Sequence, residues 1–163
     1  MLFRSMSLQD LKDYEVRVSP ALCFAWRASS SAPASVNTQV CGAPPPSSGT
    51  LAVGQILGLL EARPETSAAS TLGAPWIHQY TEAARLAFAD RAQYVGDPAH
   101  IPTPAGAWSS LLDDQYLRSR ALAIGPQRQP KVQPGTPQGQ ALSWGPMPDQ
   151  PRSEEHTSEL QSH

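Results

Sequence analysis

Apolar positions along the chain fall into a few helical patterns separated by polar and proline-rich stretches. Residues 7–14, SLQDLKDY, carry a short helix signature, with Ser7 placed to cap and Asp10 in the first turn. Val16 and Val18 alternate with charged and polar neighbours, which predicts a short strand. Residues 29–35 are a small-residue run that reads as a loop, and residues 36–41 read as a second strand. Residues 51–61, LAVGQILGLLE, are broken only by Gln55 and Glu61, so the pattern predicts a helix buried on all sides. Gly54 and Gly58, four apart, would let another backbone come close to it. After a polar loop over 63–73, Pro75 opens the longest helix, 76–95. Its apolar side is Ile77, Tyr80, Ala84, Ala87 and Phe88, with Glu82, Arg85, Asp90 and Arg91 on the others. Gly96 stops it and Asp97-Pro98 continues as a turn. A further helix starts at Ser110 with Asp113 and runs to Ile124, burying Leu112, Tyr116, Leu117, Ala121, Ala123 and Ile124, before Gly125-Pro126 ends it. Residues 126–151 are rich in Pro and Gly and show no period, which reads as an extended linker.

Composition narrows the function classes. The chain has 163 residues, 12 basic and 14 acidic, for a net charge of −2. No basic stripe marks a nucleic-acid partner, and no apolar run is long enough to span a membrane. Lys12 and Lys131 are the only lysines; with abundant Ala, Pro and Arg this points to a GC-rich genome. No metal or other cofactor is expected, since His78 and His100 are too isolated to form a ligand pair. Asp113-Asp114 reads as complementing a helix dipole, and Asp90-Arg91 as an ion pair near a helix end. Cys23 and Cys41 would form one disulfide in an exported protein or two buried thiols otherwise; the second is the expectation. Ser47-Ser48-Gly49 lies in neither a P-loop nor a G-x-S-x-G elbow.

The two ends differ in texture from the rest. Written as codons, residues 152–163, RSEEHTSELQSH, read as a translated short-read sequencing adapter. Residues 1–5, MLFRS, read as the complementary sense of the same adapter, with GTG as start codon. Both are set apart from the natural segment, about 6–151.

Several stretches of that segment, taken together, resemble one family. Val40-Cys41-Gly42-Ala43-Pro44-Pro45-Pro46-Ser47-Ser48-Gly49 is similar to the CG-x-PPPSSG segment of gamma-glutamyltranspeptidases. AARLAFADRAQYVGDP, residues 83–98, resembles that family's LAFADR helix and GDP turn, carrying Phe88, Asp90, Arg91, Tyr94, Gly96, Asp97 and Pro98. SLLDDQYLRSRALAI resembles its LLSxxYxxxRAxxI helix, and SLQDLKDYEVRV its DLxxY opening. Two departures leave the subfamily open: Thr50 stands where a second glycine is common, and the small-residue run at 28–35 looks like a family-specific or subfamily loop.

The resemblance implies a mainly helical fragment, of three to four helices and few short strands, of an αββα N-terminal-nucleophile (Ntn) hydrolase. Residues 6–125 would be the C-terminal part of the large subunit, and 126–151 the stretch leading toward the processing site. In the family a threonine cuts the precursor, becomes the N-terminus of the small subunit, and uses its own amine as base. The γ-glutamyl group of glutathione passes to that hydroxyl, then to water or to an amino-acid or peptide acceptor. The implied partners are therefore the small subunit, glutathione and those acceptors, with a periplasmic or secreted location for the parent. The family's nucleophile motif, Thr followed by Ser or Thr and then His, does not occur in 6–151, so no catalytic residue is assigned. Alone, the segment is expected to be inactive and to fold poorly. Two alternatives stand beside this reading: a related Ntn amidase that cleaves glutaryl groups from cephalosporins, and a non-catalytic helical interaction module.

Overall fold

The computed structural model describes residues 6–26, 38–63 and 73–137. The loop expected at 29–35, most of that at 63–73, the end of the linker and both chain ends lie outside the described residues. Helix α1, Leu8–Lys12, is closed by the predicted local chemistry: Ser7 and Asp10 form a reciprocal capping box. It buries no residue. No strand forms at Val16 and Val18, which are exposed. Alternation alone makes no strand without a neighbour to bond.

The sheet is instead β1, Leu22–Trp26, paired antiparallel with β2, Thr38–Gly42. Their register sets Cys23 directly opposite Cys41, with Cα atoms 4.1 Å apart, and the two are joined in a disulfide. The expected free thiols are thereby corrected. The pairing depends on β1, whose LCFAW run shows no polar alternation to announce it.

Helix α2, Gly49–Glu61, lies between the hairpin and the other helices. Leu51, Ala52, Gly54, Gln55 and Leu59 are buried, whereas Val53 is exposed, so the helix is not covered on all sides. The close approach at its glycines is made by side chains and not by a backbone. A Cβ on Gly54 would stand 2.7 Å from Leu112, and one on Gly58 2.5 Å from Leu117.

Helix α3, Ala74–Tyr94, has Pro75 in its first turn, as expected. Its inward face is the expected one only at Ala87. Glu82, Ala83, Leu86, Ala87, Asp90 and Tyr94 are buried, while Ile77, Tyr80 and Phe88 are exposed. Glu82 and Asp90 can point inward because each finds hydrogen-bond partners there. Beyond α3, Gly96 lets Ile101 close over it, since any Cβ there would collide with the isoleucine side chain.

The next helix is also broken differently. A 3-10 turn at Trp108–Leu112 precedes α4, Asp114–Ala121, and the cap is Asp113. Its carboxylate accepts from the N–H groups of Gln115 and Tyr116, at 3.0 and 3.1 Å. Ser110 donates instead to the carbonyl of Pro104, so it does not start the helix. The core has two parts. Leu59, Ala83, Leu86, Leu117, Ala121 and Ile124 join α2, α3 and α4, and Leu51, Tyr94, Leu111 and Tyr116 form the second. Among the described residues the chain is thus mainly helical, with four α-helices and one two-stranded sheet. No described helix is long and apolar enough to cross a membrane.

Candidate functional site

The two motif stretches meet in space. Pro44 to Ser47 form a turn closed by the Ser47 N–H on the Pro44 carbonyl, with Pro45 buried and the Pro45–Pro46 peptide bond cis. Ser48 and Gly49 open α2. Thr50 donates its hydroxyl to the Ala43 carbonyl, tying the helix start to the end of the hairpin. Arg91 donates Nε to the Ser48 hydroxyl at 2.7 Å, and its guanidinium carbon sits 5.7 Å from the centre of the Phe88 ring. The expected Asp90–Arg91 pair is therefore not formed. Adjacent helical residues point to different sides, and Asp90 pairs with Arg120 at 2.8 Å.

Asp90 is the centre of a buried polar cluster. Its Oδ1 accepts from Arg120 and from the Gly135 N–H at 2.7 Å; its Oδ2 accepts from Gln55 at 2.9 Å and from the Tyr116 hydroxyl at 2.6 Å. Four donors occupy the lone-pair positions of the carboxylate, so it holds structure in place. Burial, then the adjacent Asp90 carboxylate, pushes the Tyr116 phenol far above its usual range. The same two causes raise Tyr94. Both phenols keep their protons and act as donors: Tyr116 to Asp90, and Tyr94 to the Gly135 carbonyl at 2.6 Å.

A second station stands lower on the same helix. Glu82 accepts the Gln129 N–H at 3.2 Å, and Arg85 donates to the Gln129 carbonyl at 2.7 Å. Glu82 and Arg85 also pair with each other at 2.6 Å. Between the stations Arg120 donates to the Gln133 carbonyl at 3.0 Å. His78 Nε2 donates to the Gly125 carbonyl at 2.8 Å, a bonded histidine and not a ligand. Residues 125–135 thus form a strap gripped by its backbone along α3.

The remaining motif residues are peripheral to this cluster. Asp97 accepts the Ala99 N–H at 2.9 Å and faces Arg17 at 3.5 Å, both exposed, and Pro98 is exposed in the same turn. Asp114 faces Arg118 at 3.8 Å on the surface. An open cleft of about 250 Å³ between α2 and α4 is lined by Gly58, Glu61, Ala62, Asp114, Leu117 and Arg118, with no hydroxyl, thiol or imidazole among them. Among the described residues no three His, Cys, Asp or Glu side chains gather as a metal site.

The sequence reading missed Gln55, Glu82, Tyr116, Arg120 and Gly135 as members of one arrangement. One signal was present: Glu82, Leu86, Asp90 and Tyr94 are spaced four apart and so share one helix face.

A Pseudomonas aeruginosa glutathione hydrolase proenzyme is 37% identical over 131 residues, which are 78% of this chain and 21% of that protein. An Acylase ACY 1 proenzyme from a Pseudomonas species is 29% identical over 115 residues, 71% of this chain and 18% of its own length. The chain thus spans about a fifth of the length of these relatives. Among solved structures, a gamma-glutamyltranspeptidase from Pseudomonas nitroreducens complexed with L-DON superposes with a TM-score of 0.67 at 30% identity, covering 80% of this chain and 36% of that one. The Helicobacter pylori gamma-glutamyltranspeptidase gives 0.67 at 28%, covering 83% and 36%. The sequence profile described as Gamma-glutamyltranspeptidase matches residues 5–161, and the chain belongs to that family.

Proposed function

We propose that this chain is the C-terminal part of the large subunit of a gamma-glutamyltransferase, or glutathione hydrolase, precursor of the αββα Ntn-hydrolase fold. The observation that carries the reading is the family match over 5–161, within which the Pro44–Gly49 turn and the 83–98 helix are joined by the Arg91–Ser48 bond. The parent would transfer the γ-glutamyl group of glutathione to water or to an amino-acid or peptide acceptor. It would use an N-terminal threonine of the small subunit, the partner of this segment. The chain alone would be inactive, because the nucleophile is not in it. A glutaryl-acylase parent is the second reading, favoured by the Acylase ACY 1 relatives at 29% and 33% identity. The parent would be periplasmic or secreted, a location that the Cys23–Cys41 disulfide supports.

The test of activity is a chimera in which residues 6–137 replace the aligned stretch of the Pseudomonas aeruginosa glutathione hydrolase proenzyme. It is expected to cleave itself and to hydrolyse a chromogenic γ-glutamyl anilide. The 163-residue chain alone should give no turnover above a buffer blank. A soluble chimera that neither cleaves nor turns over would refute the reading, and turnover by the chain alone would refute the inactivity.

Genomic sequence of the source supplies a second check. It is expected to show an export signal upstream and a natural continuation in place of residues 152–163. That continuation should reach a Thr, then Ser or Thr, then His within a few tens of residues. A stop codon near Pro151 would sink the proposal. The substrate-binding residues read beyond it decide between transpeptidase and acylase.

A further inference from the structure

We infer that the 125–135 strap is a positioning device for self-cleavage, with Tyr94 and Gly135 as its decisive residues; this rests on the function proposed above. Two stations on α3 grip the strap by the backbone of one residue each. Glu82 and Arg85 take both the N–H and the carbonyl of Gln129, and Asp90 and Tyr94 take both those of Gly135. The stations lie eight residues apart on the helix, about 12 Å at 1.5 Å per residue. Gln129 and Gly135 are six residue steps apart, enough to span about 20 Å when extended. The strap therefore runs in the same direction as α3, toward its C-terminal end, with slack between two fixed points.

Any residue but proline could offer its backbone to such a grip at Gln129, whose side chain also donates to the Ala123 carbonyl. Gly135 is different: a Cβ there would collide with the Arg120 side chain and the Tyr116 hydroxyl. The last fixed point before the described residues end at Pro137 is thus set to one backbone position, from the inside of the buried cluster.

A fixed departure point matters for an intramolecular reaction. In self-cleavage the threonine hydroxyl oxygen bonds to the preceding carbonyl carbon. The C–N bond breaks, the amine takes the proton, and water then cleaves the ester to a carboxylate and a free hydroxyl. The rate depends on how closely the attacking oxygen is held to that carbonyl. A shift at Gly135 moves the point from which the downstream peptide sets out. None of Glu82, Arg85, Asp90 or Tyr94 takes part in the chemistry; each acts through the strap.

The test uses the chimera described above. Tyr94→Phe removes the bond to the Gly135 carbonyl and keeps the ring in the core; Gly135→Ala displaces the strap itself. Conversion of precursor to two subunits is followed on denaturing gels. Both variants should slow it about tenfold or more, since small misplacements cost that much in positioned reactions. The melting temperature of the Tyr94→Phe precursor should fall by no more than the loss of one hydrogen bond costs, a few degrees at most, and the cleaved enzyme should keep its kcat and KM. Cleavage at the unsubstituted rate in Tyr94→Phe would overturn the inference. So would slower cleavage accompanied by a larger fall in melting temperature, which would mark a role in stability alone. A soluble unsubstituted chimera that does not cleave would instead overturn the functional reading, and this inference with it.

Discussion

In the chimera, replacing Asp90 by alanine is expected to destabilise the fold by about 3–5 kcal/mol, the usual cost of removing one partner from a buried ion pair. The carboxylate is 1% exposed and the Arg120 side chain opposite it 12%. Its loss leaves a guanidinium, an amide, a phenol and a backbone N–H without their shared acceptor. Each of these groups reaches Asp90 from a different place: Gln55 from α2, Tyr116 and Arg120 from α4, Gly135 from the strap. The substitution therefore loosens every helix of the core together. Urea unfolding followed by far-UV circular dichroism measures it, with the unsubstituted chimera as reference. Tyr116→Phe, which removes one donor and leaves the carboxylate bonded, should cost only about 1 kcal/mol. In an Arg120→Met background the cost of Asp90→Ala should shrink, because no buried cation is then left alone. A loss below about 1 kcal/mol for Asp90→Ala would show that the cluster is ornamental to stability.

How far these features were legible depends on the range of the interaction. Ser7 and Asp10 are three residues apart, and their capping box was readable because both partners sit in one turn. The motif stretches at 40–49 and 83–98 were readable as a family resemblance, which the profile match bears out. The Asp90 partners lie between 26 and 45 residues away in sequence. No period or spacing rule reaches that far, so Asp90 was assigned to the nearest cation, Arg91. The disulfide failed to show for the same reason. Whether Cys23 faces Cys41 is decided by the register of a hairpin whose intervening residues, 27–37, carry no turn signal that fixes it.

The orientation of α3 is a different kind of miss, and it yields the second large prediction. Apolar spacing put Ile77, Tyr80 and Phe88 inward; the structure turns the helix so that Leu86 sits between Glu82 and Asp90 in the core. Leu86→Ala should therefore cost about 2–5 kcal/mol in the chain, the range for a buried leucine whose cavity does not fully collapse. Leu86 is 1% exposed and belongs to the cluster that joins α2, α3 and α4. Ile77→Ala should cost less than about 1 kcal/mol in the same chain: Ile77 is 52% exposed, and alanine is the better helix former. Urea midpoints of the two variants give the comparison directly. Reversal of their order would mean that the helix is turned as the spacing suggested. The same pair in the chimera asks what the exposed row is for. This chain is about a fifth of the length of its relatives, so apolar residues left in solvent here can meet structure supplied by the remainder there. If Ile77, Tyr80 and Phe88 are covered in that setting, Ile77→Ala should become distinctly costlier in the chimera while Leu86→Ala keeps its cost. An unchanged cost for Ile77→Ala in both settings would leave the row as ordinary surface, for which isolated apolar side chains are common enough.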